Sequence, residues 1–467
     1  MVLEKGELNH PNFDQKEAEY NLKKDREERE YVKKQWAKQD KKKDEELTFP
    51  EDNCGIMTRF RKIVSAHTDI PQKFIIPVSY MIIAETIGRF YKLEGLHNFR
   101  PNLFVILASA PKIGRRGTLL KVFNHVLQSA FITYYETLGE IKKIGMELKA
   151  HQLEGGSPQG LVDDINYYKK EKKINSFAVT SSEFGKLFKS IAGGKNYKEG
   201  TDALYCKLWS GESYTESFSR RGNPNAEPRY LEPNQYFNLL GMMQKIDKYL
   251  TSEDVAETGL ARRLSIWNVE GTELIDNHKP LLGRDEEEMF RQLEQLGDDL
   301  GKMMVIAAKK FEENKGRLLS INVSDDAKEQ INKIDHQLGL KAKENDEDPY
   351  SLFIQGQVDQ VLKYCLNRAL SRNSSTVDLD DLRIAFVHAK IATKPLKPIF
   401  DALGSKSKMK DPEHIKNKII EYFNKGFTKT TVQQSMSSYC KGKEFNIFIQ
   451  ELLEEGRITQ ERLLKKS

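Results

Sequence analysis

A chain of 467 residues, 38% of them apolar and 23 of them Phe, can build a real core, which excludes wholesale disorder, and its length suggests about three domains. Charged residues make up 31% but the net charge is only +5, so any basic patch must be local and global charge does not mark a nucleic-acid binder. Cys54, Cys206, Cys365 and Cys440 stand far apart with no CxxC pair, so neither a zinc knuckle nor a disulfide framework is indicated, and a reducing compartment is expected.

The first residues are charged and lack an apolar h-region, so no secretory signal is expected. No uninterrupted apolar run approaches the roughly 18 residues that cross a bilayer. The expectation is a soluble, cytoplasmic protein with no membrane partner. Residues 1–50 read as a charged arm. Within it, DQKEAEYNLKKDREEREYVKKQWAKQDKKKDEE (14–46) offers opposite charges at i,i+4 spacing that could hold a helix. It offers no apolar stripe wide enough to pack on a core. A solvated helix, a mobile arm and a partner-binding arm all fit.

Residues 51–100 read as a helical lead-in, in which FIIPVSYMIIAETIGRFY is apolar enough for a buried helix with Pro77 near its start. Residues 101–284 read as an α/β core. NLFVILASA is a strand that stops at Pro111. A turn with Lys112, Gly114, Arg115 and Arg116 follows. A helix from about Thr118 then places Leu119, Val122, Phe123, Val126, Leu127, Ala130 and Phe131 at 3.6-residue spacing. Gly155, Gly156, Ser157 and Pro158 mark a break. LVDDINYYKKEKK is a short helix, and INSFAVTSSEFG is a second strand running into polar residues. Residues 184–195 hold a short helix and a GG loop, and residues 211–234 a polar connector. NQYFNLLGMM and LARRLSIWNV are the third and fourth strands. Strands separated by helices imply a mostly parallel sheet covered on both faces, with ligands at the carboxyl ends of its strands.

Residues 285–404 read as helical: a charged, apolar-striped helix over 285–315, then a bundle over 324–392 closed by VDLDDLRIAFVHA, with Asp378 in its N-cap region. SKSKMK is a polar linker. Residues 411–467 give three short helices, with Gly ending the first and third, then a short basic hairpin; this pattern predicts a winged helix.

A phosphate-binding loop works because successive backbone N–H groups and a helix N-terminus converge on the phosphates. Its usual pattern, GxxxxGK[ST], adds a Lys for the β/γ phosphates and a hydroxyl for Mg²⁺. Here Ser109 and Gly114 take the glycine places, Arg115 the lysine's, and Arg116 the hydroxyl's. One inserted residue puts Arg116 and Gly117 ahead of Thr118 and restores the hydroxyl at the helix start. Arg can neutralise phosphate but is larger and flat, so the exchange is not conservative. Lys112 could be a further phosphate contact. A nucleotide loop and an ordinary basic turn both fit. At the end of the second strand, Ser182 could bond a metal-bound water and Glu183 could polarise a nucleophile, or the pair is a plain helix cap. In GLARRLSIW, Arg262 and Arg263 precede an apolar strand, where an arginine could reach a neighbour's γ-phosphate or simply face solvent.

Taken in order, these segments resemble the P-loop, AAA+-like ATPases of plasmid, phage and virus primase-helicase replication modules, and more distantly the minichromosome-maintenance helicases. The resemblance runs over about residues 56–395. It rests on FIIPVSYMIIAETIGRFY, PNLFVILASAPKIGRRGT, GSPQGLVDDI, SSEFGKLF, LYCKLWSGE, NLLGMMQ and GLARRLSIW, on their order more than on any one. It implies an α/β P-loop AAA+-like core, a helical lid and a C-terminal winged helix. It implies ATP and Mg²⁺ as ligands, DNA as partner, a primase or other replication protein nearby, and a homo-oligomeric ring, a hexamer among the options. Carried over by position, Ser109, Ala110, Pro111, Lys112, Ile113, Gly114, Arg115, Arg116, Gly117 and Thr118 form the nucleotide loop. Thr118 and Ser182 face the metal. Glu183 is the Walker B glutamate, Gln244 the sensor-1 residue and Arg263 the finger acting in trans. In the tail, Lys441, Lys443, Arg457 and Arg462 are the expected DNA contacts. The departures are the missing Walker A lysine, Ser182 in place of an aspartate, and Gln355 and Gln357 near the sensor-2 place. They leave two functions open: a working ATPase and helicase, or an ATPase-shaped DNA-binding or assembly subunit without turnover.

Overall fold

The structure is a computed structural model that describes residues 54–96, 98–110, 115–154, 157–185, 201–215, 229–244, 246, 259–269, 285–344, 349–398, 412–436 and 442–459. All belong to one unit, Asp52–Ser467. The expected arm (1–50), the short helix and GG loop (beyond Gly185) and the linker (405–410) lie outside the described residues.

Helix α1 spans Gly55–His67 and α2 spans Gln72–Glu85. Every residue of α2 from Phe74 to Glu85 is buried, the state expected of a helix apolar on all sides. The sequence reads this helix on to Tyr91, but it stops at Glu85. Thr86 turns its hydroxyl back onto the Ile82 carbonyl at 2.6 Å. A 3-10 turn, Gly88–Phe90, then leads into strand β1, Tyr91–Leu93. Gly88 is needed there because a Cβ would collide with the Tyr236 hydroxyl.

Strand β2, Phe104–Ser109, is buried along its whole length. It leads to α3 (Arg116–Thr137), α4 (Ile144–Ala150) and α5 (Pro158–Lys172). Ser157 caps α5 by accepting from the Gly160 N–H at 3.1 Å, and Pro158 suits the first turn, where no N–H is required. Strand β3 (Ser176–Ser181) and α6 (Thr201–Ser210) follow. The connector expected to be irregular holds a small antiparallel pair, β4 (Tyr214–Thr215) and β5 (Tyr230–Leu231). Strands β6, Tyr236–Met243, and β7, Ser265–Val269, complete a four-stranded, all-parallel sheet in the order β3-β6-β2-β7. Complete burial of β2 and β6 is what a parallel sheet with two covered faces requires. On one face the rings of Tyr205, Trp209 and Phe237 meet Phe104 edge-on.

The long helix α7, Glu286–Glu313, starts on an Asp285 cap and lies along α3. Gly297 and Gly301 let it come close: a Cβ on Gly297 would sit 2.8 Å from the Val126 carbonyl oxygen, and one on Gly301 2.7 Å from that of Ala130. Beyond it come β8 (Leu319–Val323), α8 (Asp325–Glu344), α9 (Pro349–Ser371), β9 (Thr376–Val377) and α10 (Leu379–Thr393). The expected cap at Asp378 is present as a reciprocal capping box with Asp381. A second parallel sheet, β1-β8-β9, was not expected in a region read as helical. Its strands are short, and β8 is half solvated, so none shows the continuous apolar run that marked the first sheet.

The last described segment holds α11 (Pro412–Asn424), α12 (Lys429–Ser435) and α13 (Gly442–Glu454). Ile415, Ile419, Phe423, Val432, Met436, Phe445, Ile449, Leu452 and Ile458 form their shared core. Gly426 and Gly456, at φ +82 and +68, end the first and third helices, as the sequence implied. The expected basic hairpin, residues 459–466, lies outside the described residues beyond Thr459.

Candidate functional site

The sheet register decides what meets at its carboxyl edge. Ala108 of β2 stands opposite Met243 of β6, Ser109 opposite Val269 of β7, and Ser181 of β3 opposite Gly241 of β6. Ser109, Gln244 and the pair Ser182–Glu183 therefore leave the sheet along one rim. The first strand of the sheet, β2, lies inside it, with later strands added on both sides. A crevice at the carboxyl ends beside such a reversal of strand order is where open α/β sheets take ligands.

From β2 the chain passes half-buried Ala110 and reaches the amino end of α3. Pro111, Lys112, Ile113 and Gly114 lie outside the described residues. Ser109 is 1% exposed, and its hydroxyl has no hydrogen-bond partner among the described residues. Arg115 caps α3 in a left-handed conformation, φ +45 and ψ 34, with no side-chain cap bond. Its Nη2 donates to Asp69 Oδ2 at 2.9 Å. Among the described residues nothing stands within 4 Å of a Cβ placed on Gly117, and Thr118 is exposed. No acidic residue occupies the first turn of α3, so its dipole keeps its attraction for an anion.

Across β6, Ser182 and Glu183 are both exposed. The Glu183 N–H donates to Ser181 Oγ at 3.3 Å. This turn is held by Phe184, 1% exposed, whose ring lies on Gly241 of β6. Sequence reading missed that contact, and its one signal is a glycine inside a strand. Gln244 is exposed at the end of β6. The described members brought to this rim are thus Ser109, Ala110, Arg115, Arg116, Gly117, Thr118, Ser182, Glu183 and Gln244.

Arg263 is not among them. It sits in a 3-10 turn, Ala261–Arg263, at the amino end of β7, with the roughly 13 Å length of that strand between it and the rim. Its Nη1 donates to the Gly259 carbonyl at 2.8 Å and meets Cys206 Sγ at 3.6 Å. Burial pushes the Cys206 thiol up, against the opposing charge of Arg263. Helix α9 seals this turn: Gln360 donates to the Arg263 carbonyl, and Gly356 leaves room for Arg262, whose Cβ would stand 2.6 Å from an added Cβ.

No family model matches the chain, and comparison with curated proteins finds no match. The roles of these residues therefore rest on geometry.

Two buried polar groups at the amino side of the fold escaped sequence reading. In the first, Arg89 pairs with Glu147, Tyr135 donates to Glu147 Oε2 at 2.8 Å, and His151 Nδ1 meets Glu85 Oε2 at 2.9 Å. Burial alone would push the Glu147 carboxyl up, but Arg89, His151 and Tyr135 outweigh it and hold it at about 2. Burial pushes Glu85 up, partly offset by His151, while the two carboxylates raise His151 against its own burial. These groups are closed to solvent and tie α2, α3 and α4 together. In the second, Lys363 donates to the Arg100 carbonyl at 2.8 Å beneath the Trp209 ring, and burial holds its amine well below the usual lysine range.

Among the described residues no group of three or more His, Cys, Asp or Glu could hold a metal ion. Thr118 and Ser182 supply only neutral hydroxyls, which suits a cation brought with phosphate oxygens and water, not a resident ion. Nor, among them, is any helix long and apolar enough to cross a membrane.

In the last segment Lys441 and Arg462 lie outside the described residues, and Lys443 falls in the first turn of α13. Arg457, expected on DNA phosphates, is turned inward to its own chain. It pairs with Glu413, meets Glu455 Oε2 at 3.2 Å and donates to Asn417 Oδ1 at 2.6 Å. Its contacts with Glu413 and Asn417 join the end of α13 to α11 at the surface.

Proposed function

We propose that this chain binds a nucleoside triphosphate at the rim of the β3-β6-β2-β7 sheet and acts on DNA in replication, as a P-loop, AAA+-like ATPase assembled in a homo-oligomeric ring. The observation that carries the reading is the convergence of the β2–α3 junction, Ser182–Glu183 and Gln244 on one carboxyl edge. In this reading the amino end of α3, with Arg115, Arg116 and Lys112, takes the phosphates. The hydroxyls of Thr118 and Ser182 face Mg²⁺ carried by the triphosphate. Gln244 bonds the γ-phosphate or the attacking water, and Glu183 orients that water. Arg263, on the opposite edge, serves a neighbouring copy's site. Residues 285–404 act as a lid, and residues 411–467 as a winged helix that meets DNA through Lys441, Lys443 and Arg462. A primase or other replication protein is the further partner. The decisive assay is ATP binding and hydrolysis with and without single-stranded and duplex DNA. The expected result is turnover that is lost in Glu183→Gln and in Arg263→Ala; turnover surviving both would refute these roles.

A second reading has its own support. Ser182 puts a neutral, exposed hydroxyl where a metal-holding carboxylate is expected. Loss of such a group commonly costs several kcal/mol of transition-state stabilisation, about 3 or more. A subunit that binds DNA and assembles without turnover would show intact DNA binding and no ATP hydrolysis in the same assay.

A further inference from the structure

The Arg115 guanidinium, at the amino end of α3, already has an anion. Arg115 Nη2 meets Asp69 Oδ2 at 2.9 Å, with the Arg115 side chain 41% exposed and that of Asp69 9%. Asp69 belongs to the segment between α1 and α2, a part of the chain that contributes no strand to the β3-β6-β2-β7 sheet. Arg115 caps α3 in a left-handed conformation that residues with a Cβ seldom adopt. An arginine has N–H donors on both amino groups and on Nε, and only one amino group is engaged by Asp69.

We infer that Asp69 is a built-in competitor for Arg115: its carboxylate occupies the cation at the amino end of α3, and a triphosphate binds there by displacing it. The inference rests on the triphosphate reading of the rim. The physical ground is charge. A carboxylate carries one negative charge and a triphosphate several, so the phosphate chain wins the guanidinium, but only after the Asp69 contact is broken. Asp69 thus sets a threshold that favours polyphosphates over singly charged anions.

The test is titration of the full chain with a fluorescent N-methylanthraniloyl-ATP in the presence of Mg²⁺, with inorganic tripolyphosphate as competitor. Wild type is compared with Asp69→Asn, Asp69→Ala, Arg115→Ala and the Asp69→Asn/Arg115→Ala double variant. Removal of Asp69, the partner of a half-exposed guanidinium, should tighten binding about three- to fivefold in both Asp69 variants. The gain should vanish in the Arg115→Ala background, as a double-mutant cycle requires of a coupled pair. Tripolyphosphate should show the same gain as the nucleotide. Unchanged or weaker binding in both Asp69 variants, or a gain that persists without Arg115, overturns the inference while the triphosphate reading stands. Absence of nucleotide binding in every variant, wild type included, removes both.

Discussion

Phe184 lies across Gly241 so closely that a Cβ at Gly241 would stand 2.5 Å from Phe184 Cγ and 2.8 Å from Ile106 Cδ1. One missing side chain in β6 thus fixes the turn that carries Ser182 and Glu183. Gly241→Ala should destabilise the fold by about 1–3 kcal/mol through overpacking. A denaturant titration should show a lower midpoint with an unchanged slope. A midpoint equal to wild type would mean that the ring yields freely and does not position the turn.

The α3–α7 contact should be equally intolerant. Gly297→Ala puts a Cβ 2.5 Å from Ser129 Cβ, and Gly301→Ala one 2.6 Å from Thr133 Cβ. Helix propensity alone would make each alanine stabilising by roughly 1 kcal/mol. The close approach should reverse that sign, so that each variant melts below wild type. A raised melting temperature would show that α7 can move away from α3 without loss.

Acid should act on the buried Arg89–Glu147–His151 group. The Glu147 carboxyl is held at about 2, below its ordinary 4.5, so its stabilising contribution is complete above pH 4.5 and is lost as pH falls from there toward 2. Glu147→Gln leaves Arg89 without its buried partner and should cost about 3–5 kcal/mol at neutral pH. The variant should also lose part of the wild-type slope of stability against pH between about 4.5 and 2. An identical slope in the two proteins would place the acid sensitivity elsewhere.

In the last segment, Arg457→Ala should leave any DNA affinity and its dependence on salt unchanged, since that guanidinium already has Glu413, Glu455 and Asn417. A phosphate-bound lysine or arginine, by contrast, adds nearly one unit to the slope of log affinity against log salt. Measuring that slope for Arg457→Ala and Lys443→Ala separates the two roles. A shallower slope for Arg457→Ala would show that the internal pairs open for DNA.

The four strands of the main sheet were legible because each is a buried, nearly continuous apolar run between polar breaks, as in Phe104–Ser109 and Tyr236–Met243. The order of those runs was enough to place Ser109, Glu183 and Gln244 on one side. What the sequence hid is pairing at long range. Nothing near Arg115 in the chain indicates Asp69, nothing near Arg457 indicates Glu413, and Glu85 and His151 carry no pattern that would join them. Short strands were hidden for another reason. Tyr91–Leu93 continues an apolar stretch that suits a helix equally well, and Thr376–Val377 is too brief to show any period.

The small β1-β8-β9 sheet bears on how the protein is made. Tyr91 pairs with Leu319, over two hundred positions further along, and Asn322 with Thr376. During synthesis, α2 and β1 leave the ribosome long before their partners exist, and α2 is apolar on all sides. Contacts of such sequence separation form late and slowly. Until the second half of the chain arrives, the nascent protein displays a surface that invites chaperones or aggregation.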